Sequence, residues 1–154
     1  MIEDMRKVSF ADMNCSIAQA LEIVGEWWTL LILRDCFLGV RRFDDFVERL
    51  GISRNVLTDR LDKLVAADVL ERRTYDEGRL RYDYVLTPKG KALWPVITTL
   101  REWGDEWITG EGNEPILLEH RTCGNVTHTR LVCDCCGETL HGRDVRAIEG
   151  PGAD

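Results

Sequence analysis

Residues 43–86 constrain the fold most strongly, because they are patterned as helix, tight turn, helix, strand, charged tip and strand in about the minimum length for such a unit. Apolar residues recur three or four positions apart along the first helix, and Gly51 supplies the backbone freedom to end it. This apolar stripe consists of Phe43, Phe46, Val47 and Leu50. The order of elements predicts a winged helix-turn-helix, a mainly α fold with a small β-hairpin wing.

The second helix of this unit is the candidate DNA-recognition helix. Leucines at positions 57, 61 and 64 repeat at helical spacing and should face the core. We expect Arg60, nearer the buried edge, to form an internal salt bridge with an acidic residue. Ser53 is a good N-cap. Side chains that could hydrogen-bond phosphates or base edges lie near the N-terminus on the other side: Ser53, Arg54, Asn55 and Thr58.

After Val69 the apolar period changes from helical to two, which predicts a pair of strands closed by the turn at residues 76–79. Arg79 and Arg81 place cations at the hairpin tip and just inside it, where a wing can lie along a DNA groove. Similar units with charged hairpins also occur in protein-interaction domains. An adaptor that binds no DNA is therefore one alternative.

The composition is that of a globular protein, with 44% hydrophobic and 31% charged residues among 154. We expect one domain at residues 1–109 with an appendage at 110–154. The longest apolar run, residues 27–33, is too short for a membrane span, and no export signal is recognisable, so we expect a cytoplasmic protein. Nucleotide-binding glycine loops and Gly-x-Ser-x-Gly elbows are lacking, which argues against an enzyme.

The net charge of −7 looks unfavourable for binding DNA, but the acidic residues are unevenly distributed. Residues 41–91 contain 12 lysines and arginines against 10 acidic residues, so the acidic excess lies outside the winged unit. This favours a DNA contact made by a few arginines over a broad basic face. Arg41 and Arg42 could reach the DNA backbone or simply face water.

Helices should flank this unit on both sides. Ser16 with Gln19 suggests a capping box, and residues 26–38 are apolar nearly all round, which predicts a central helix that buries Cys36. Thr87 and Pro88 start a later helix that Pro95 should break or kink before it continues to about Ile108. Its apolar residues cover more than one face: Trp94, Ile97, Trp103 and Trp107.

That surplus of apolar surface predicts a homodimer, because a second subunit is the simplest cover for it. Two recognition helices about one DNA turn apart would then read a palindrome. Alternatively, residues 2–10 and the C-terminal tail cover the surface within one chain. A pocket lined by Trp27, Trp28 or Trp103 could hold a small-molecule effector.

The tail carries two pairs of metal-binding residues at short spacing, each followed by glycine: His120 with Cys123, and Cys133 with Cys136. One imidazole and three thiolates suit a tetrahedral structural zinc, and the tail has too few large apolar residues to fold easily on a core of its own. We therefore predict a zinc-ribbon-like extension. Cys135, His128 or His141 could replace a ligand, or the thiols could oxidise among themselves.

Several stretches together resemble the HxlR-type winged-helix regulators. They are residues 15–35, the Arg-Arg-Phe at 41–43, Gly-Ile-Ser-Arg-Asn-Val-Leu-Thr-Asp-Arg-Leu at 51–61 and Tyr-Val-Leu-Thr-Pro-Lys-Gly at 84–90. The resemblance covers about residues 15–107 and implies a dimeric regulator related in fold to MarR proteins, with dimer contacts from the N-terminal region and the long C-terminal helix.

In members of that family that sense oxidants or electrophiles, the sensor is a cysteine just before the first helix, and Cys15 matches this position. The positive end of a helix dipole favours the reactive thiolate form of a nearby cysteine. The alternative is a small residue packed at the dimer interface. We thus expect a DNA-binding regulator, in its simplest form a repressor, with a thiol- or zinc-responsive switch as an alternative.

Overall fold

The computed structural model describes residues 9–76 and 81–153. Its described elements are α1 (Ser16–Val24), α2 (Trp27–Phe37), α3 (Phe43–Leu50), α4 (Arg54–Ala66), β1 (Leu70–Asp76), β2 (Arg81–Leu86), α5 (Pro88–Lys91), α6 (Trp94–Gly104), a π-helical segment (Asp105–Thr109), β3 (Glu119–His120) and β4 (Asn125–Val126). The predicted mainly α winged fold is confirmed. The chain divides into two compact units, one ending at Ile97 and the other starting at Thr98.

The core of the first unit forms where α2, α3 and α4 pack together. Ile32 and Leu33 of α2 and Phe46 of α3 are completely buried, and they lie in one cluster with the three predicted leucines of α4. The α2 helix also buries a charge, because Asp35 is fully enclosed. Its carboxylate pairs with Arg34 at 2.8 Å and with Arg49 at 3.4 Å, which ties α3 to α2.

The turn between α3 and α4 forms as its sequence predicts. Gly51 ends α3 in the left-handed conformation, with φ +63°, and its N–H donates to the Val47 carbonyl at 3.0 Å. Ser53 caps α4, since its hydroxyl oxygen accepts from the Val56 N–H at 3.4 Å. The recognition helix therefore starts at a fixed point after a sharp turn.

The wing is an antiparallel hairpin in which Leu70 pairs with Leu86 and Arg72 pairs with Tyr84. A third short segment joins it, because Arg42 bridges to Asp83 and the Tyr84 N–H donates to the Arg41 carbonyl at 2.8 Å. The predicted tip, including Arg79, lies outside the described residues.

The start of α1 corrects one prediction. Cys15, not Ser16, occupies the N-cap position, and no side chain caps the helix. Gln19 does not complete a capping box; its amide nitrogen donates to the carbonyls of Ala11 at 2.8 Å and Met13 at 3.0 Å. Gln19 lies one position too far along the helix to reach back to the cap, so it binds the preceding segment.

The helix expected to begin at Thr87 is broken next to Pro95, as predicted. A short α5 ends at Lys91, and Pro95 lies in the first turn of α6, where its missing N–H removes no helical hydrogen bond. Of the two predicted outcomes, the helix is broken and not kinked, and Pro95 lies just after the break.

The α5 turn is bonded to the end of the recognition helix. The Thr87 hydroxyl donates to the Asp68 carbonyl at 2.7 Å and accepts from the Gly90 N–H at 3.0 Å, while Lys89 Nζ donates to the Ala67 carbonyl at 2.7 Å. A Cβ on Gly90 would lie 2.2 Å from the Val69 carbonyl oxygen, so only glycine fits there. We call these contacts the α4–α5 clamp.

The second unit joins the end of α6 to the tail. Arg101 pairs with Asp105 at 2.6 Å and donates to the Ile116 carbonyl at 3.1 Å, and Glu102 accepts from the Thr129 N–H at 2.7 Å. These bonds explain why the tail groups with residues from Thr98 onward. Whether residues 110–154 form a separate domain stays a prediction.

Within the described part of the chain, no single helix is both long and apolar enough to cross a membrane. The strongly bent pair of α1 and α2 reaches that length only when taken together, and α2 supplies fully buried core residues.

Candidate nucleic-acid interface

The recognition helix α4 has two distinct faces. Leu57, Leu61 and Leu64 are buried in the core, whereas Arg54, Asn55 and Thr58 are exposed on the side near its N-terminus. The fold therefore places three of the predicted DNA-contacting side chains together on one accessible surface. Ser53, the fourth from this region, is also exposed, but its hydroxyl caps the helix.

Arg54 is already oriented by contacts within the chain. Its guanidinium donates to the Asp44 carboxylate at 2.8 Å and lies over the Phe43 ring, 4.8 Å from its centroid. The side chain is nonetheless 65% exposed. Arg54 is held at the start of the recognition helix, and a DNA phosphate would compete with Asp44 for it.

Asn55 and Thr58 differ in the hydrogen-bonding groups that they leave available to another molecule. The Thr58 hydroxyl donates to the Arg54 carbonyl at 2.9 Å, which leaves its lone pairs and its methyl group for an outside partner. For the exposed Asn55 side chain, no hydrogen bond is found among the described residues. Its amide can both donate and accept, which is the arrangement that reads the major-groove edge of adenine.

Arg60 does not join this surface. Its side chain is only 15% exposed and pairs with Glu26 at 3.3 Å and Asp59 at 3.2 Å. The prediction of an internal salt bridge is confirmed. Arg60 consequently links α4 to the residue that precedes α2.

Two described arginines at the wing, Arg81 and Arg42, have different environments. Arg81 is exposed, and its backbone lies opposite that of Asp76 in the register of the two strands. Arg42 lies 3.8 Å from the Asp83 carboxylate and stacks on Tyr75, 4.8 Å from the ring centroid. The Arg42 side chain is 61% exposed, so it faces water, one of the two expected outcomes, and it also contacts the wing. The contact between Arg42 and Asp83 had one signal in the sequence. The alternation of apolar and polar residues along β2 predicts that Asp83 lies on the polar face of the strand.

Exposed apolar side chains form a stripe along the last turns of α6 and the π-helical segment after it. Leu100 is 49% exposed, Trp103 55% and Trp107 69%, and they recur at helical spacing. Trp94 is also exposed, whereas Ile97 is partly buried against the core of the first unit. Large aromatic side chains left in water at this spacing indicate a surface for another molecule. We call Leu100, Trp103 and Trp107 the tryptophan stripe.

The two cysteines of the first unit have different environments. Cys15 is exposed at the start of α1, close in sequence to the exposed Ile17 and Leu21. Cys36 packs against the core, as predicted. Burial, followed by the negative charge of Asp35, raises the pKa of the Cys36 thiol to about 12, so this thiol stays protonated at neutral pH. Of these two thiols, Cys15 is the one with the access that a sensor needs.

The predicted metal ligands occupy two hairpin tips in the tail. His120 Nδ1 and Cys123 Sγ are 3.4 Å apart at the first tip. Hydrogen bonds from the backbone N–H and the side-chain amide of Asn125 lower the pKa of the Cys123 thiol. Backbone N–H groups of Cys136 and Cys135 lower the pKa of the Cys133 thiol in the same way. Among the described residues, no three His, Cys, Asp or Glu side chains converge on one point.

Comparison with known proteins gives a consistent result. A family model described as HxlR-like helix-turn-helix matches residues 23–112. The HTH-type transcriptional regulator Rv3095 of Mycobacterium tuberculosis is 44% identical over 137 residues, which are 89% of this chain and 87% of that protein.

Solved structures extend the similarity to the fold. The crystal structure of PA1607, a candidate transcription factor, is 30% identical and superposes with a TM-score of 0.83 over 93% of this chain and 100% of that one. The redox regulator HypR in its reduced form is 26% identical, with a TM-score of 0.55 over 58% of this chain and 90% of that one. These relatives and structural neighbours are transcription regulators, not enzymes.

Proposed function

Since the chain belongs to the HxlR-like helix-turn-helix family of transcription regulators, we propose that it binds a palindromic operator as a homodimer and represses transcription there. The observation that carries this proposal is the exposed cluster of Arg54, Asn55 and Thr58 at the start of a helix whose opposite face is buried. A helix N-terminus that enters the major groove brings such side chains to base edges.

The proposed division of labour follows from the contacts of each residue. Asn55, with a free amide, would read a base, and Arg54, fixed by Asp44 and Phe43, would contact a phosphate or guanine. Arg81, and Arg79, which the sequence predicts at the hairpin tip, would contact phosphates beside the groove. The few cations of an acidic chain imply weak background affinity, so two subunits must bind together to occupy a site.

We expect Asn55→Ala to change sequence preference, because loss of a bidentate base contact removes about 1–3 kcal/mol of discrimination per half-site. We expect Arg81→Ala to weaken binding to all duplexes alike. The slope of log affinity against log salt concentration should become shallower by about one for each subunit. The measurement is selection from a random duplex library, followed by titrations at several salt concentrations.

The matched control is Arg143→Ala, which makes the same charge change at an exposed residue of the tail. It should leave both preference and salt dependence as in the wild type. If Asn55→Ala selects the wild-type motif, or if no palindrome is enriched from the library by the wild type, the proposed reading of DNA is wrong. The second result would favour a protein-interaction adaptor.

A redox switch at Cys15 is a second candidate. The exposed position of this thiol at the start of α1 favours it, as does the similarity to a redox regulator. Oxidation would join Cys15 to a second thiol, with the two hydrogens passing to the oxidant. A cross-link at the start of α1 would then reorient the helix and its apolar neighbours.

Diamide treatment tests this candidate. We expect oxidation to lower operator affinity at least about tenfold, which is roughly 1.4 kcal/mol, in the wild type and not in Cys15→Ser. Cys135→Ser serves as the control for tail thiols and should respond like the wild type. Equal affinity of the oxidised and reduced wild-type proteins would rule out the switch.

A further inference from the structure

The tail contains two hairpin tips with the same backbone geometry. At the first, between β3 and β4, the Gly124 N–H donates to the His120 carbonyl at 2.8 Å, and Gly124 has φ +70°. At the second, the Gly137 N–H donates to the Cys133 carbonyl at 2.8 Å, and Gly137 has φ +77°. The same turn therefore occurs twice in the tail. Nine residues separate Cys123 of the first turn from Cys133 of the second.

Equivalent positions of the two turns carry soft donor atoms. The first position is His120 in the first turn and Cys133 in the second. The fourth position is Cys123 in the first turn and Cys136 in the second. At each tip, backbone N–H groups point at a sulfur: that of Asn125 at Cys123, and those of Cys135 and Cys136 at Cys133. Such N–H groups stabilise a thiolate that is bound to a metal.

The spacing within a tip fits a metal ion. His120 Nδ1 and Cys123 Sγ are separated by 3.4 Å. Two ligands of a tetrahedral zinc, at about 2.0 Å for nitrogen and about 2.3 Å for sulfur, are about 3.5 Å apart. Cys133 and Cys136 also contact each other through their side chains. The first tip therefore has the ligand spacing of half a tetrahedral site.

The tail also lacks the usual source of stability. No residue from 110 to 153 is buried, and the apolar side chains around the tips, Val126, Leu131 and Val132, are all more than half exposed. The stretch between the hairpins is bonded to α6 through Thr129 and Glu102. A piece of this size without a core requires a cross-link or a metal to hold its hairpins together.

We propose that His120, Cys123, Cys133 and Cys136 bind one structural Zn²⁺ ion between the two hairpin tips. Among the described residues no three such side chains converge on one point, so binding would require the two tips to approach each other around the ion. With four protein ligands the site has no open position for catalysis. Cys135, at the third position of its turn, and His128 and His141, outside both turns, are not ligands in this arrangement.

The test is the metal content of the full-length protein after purification under reducing conditions and dialysis against dilute zinc. We expect one zinc per chain in the wild type and in the matched controls Cys135→Ser, His128→Gln and His141→Gln. Cys133→Ser should lose the ion. Less than about half an equivalent in the wild type, or loss of zinc from Cys135→Ser, would overturn the proposal.

Cobalt provides a readout that does not depend on a variant's stability. Co²⁺ in the wild-type protein should give the intense visible bands of a tetrahedral site and a thiolate charge-transfer band. His120→Cys should keep the ion and increase the charge-transfer intensity by about one third, because four thiolates replace three. An octahedral cobalt spectrum, or a Cys133–Cys136 disulfide in the freshly isolated protein, would contradict a zinc site. Since none of these readouts involves DNA, their failure would leave the proposed function untouched.

Discussion

Replacing Trp103 and Trp107 together by glutamate should convert the protein to a monomer and lower its operator affinity by about 10²- to 10⁴-fold. Both side chains belong to the tryptophan stripe, and each is more than half exposed. Charged side chains there would be desolvated if a second subunit covered them. The loss of affinity follows because two half-sites bound by a linked pair gain an avidity of that size. Light scattering and duplex titration measure the two effects.

A matched control keeps this result specific to the stripe. Replacing Val145 and Ile148 together by glutamate introduces the same two charges at exposed apolar residues of the tail and should leave a dimer. Circular dichroism should show both proteins folded. If the wild type is itself a monomer at micromolar concentration, or if the double variant remains a dimer, the stripe is not the subunit contact. Cover from within one chain would then be the better explanation.

Phe46→Ala should destabilise the protein by about 3–5 kcal/mol, because it empties space at a fully buried aromatic residue. Phe46 joins α3 to the leucines of α4, so its loss removes support from beneath the recognition helix. Urea unfolding of the purified protein measures the change in the free energy of unfolding.

Val56→Ala is the comparison for this loss, since Val56 lies on α4 but is exposed. It should change stability by no more than about 0.5 kcal/mol. A Phe46→Ala protein within about 1 kcal/mol of the wild type would mean that α3 and α4 hold their positions without this contact.

The parts of the fold that the sequence predicted well are those in which one local cause dominates. The recognition helix was predictable because Ser53, Gly51 and the leucine repeat act within a few residues of one another. At the other end of the unit, Thr87 and Pro88 specify the start of α5 in the same local way. The helix that follows is broken just before Pro95. The short α5 that precedes the break is hydrogen-bonded through Thr87 and Lys89 to Asp68 and Ala67.

Long-range partners account for most of what the sequence did not predict. Arg42 meets Asp83 and Tyr75 only once the hairpin has formed. Asp35 had a visible signal, as a lone acid within an apolar helix, but its pairing with Arg49 depends on how α3 packs. In the tail, spacing predicts each pair of ligands, whereas their meeting depends on the hairpins and on what binds between them.

The α4–α5 clamp has a consequence for regulation. Because Thr87 and Lys89 bond to residues at the C-terminal end of the recognition helix, a movement of α5 would be passed on to α4. In a homodimer of the kind proposed, a movement of α5 in both subunits would therefore change the distance between the two recognition helices. Linkage then requires the reverse: an operator with half-sites at the right distance would tighten the association of the subunits by the same factor by which association tightens DNA binding.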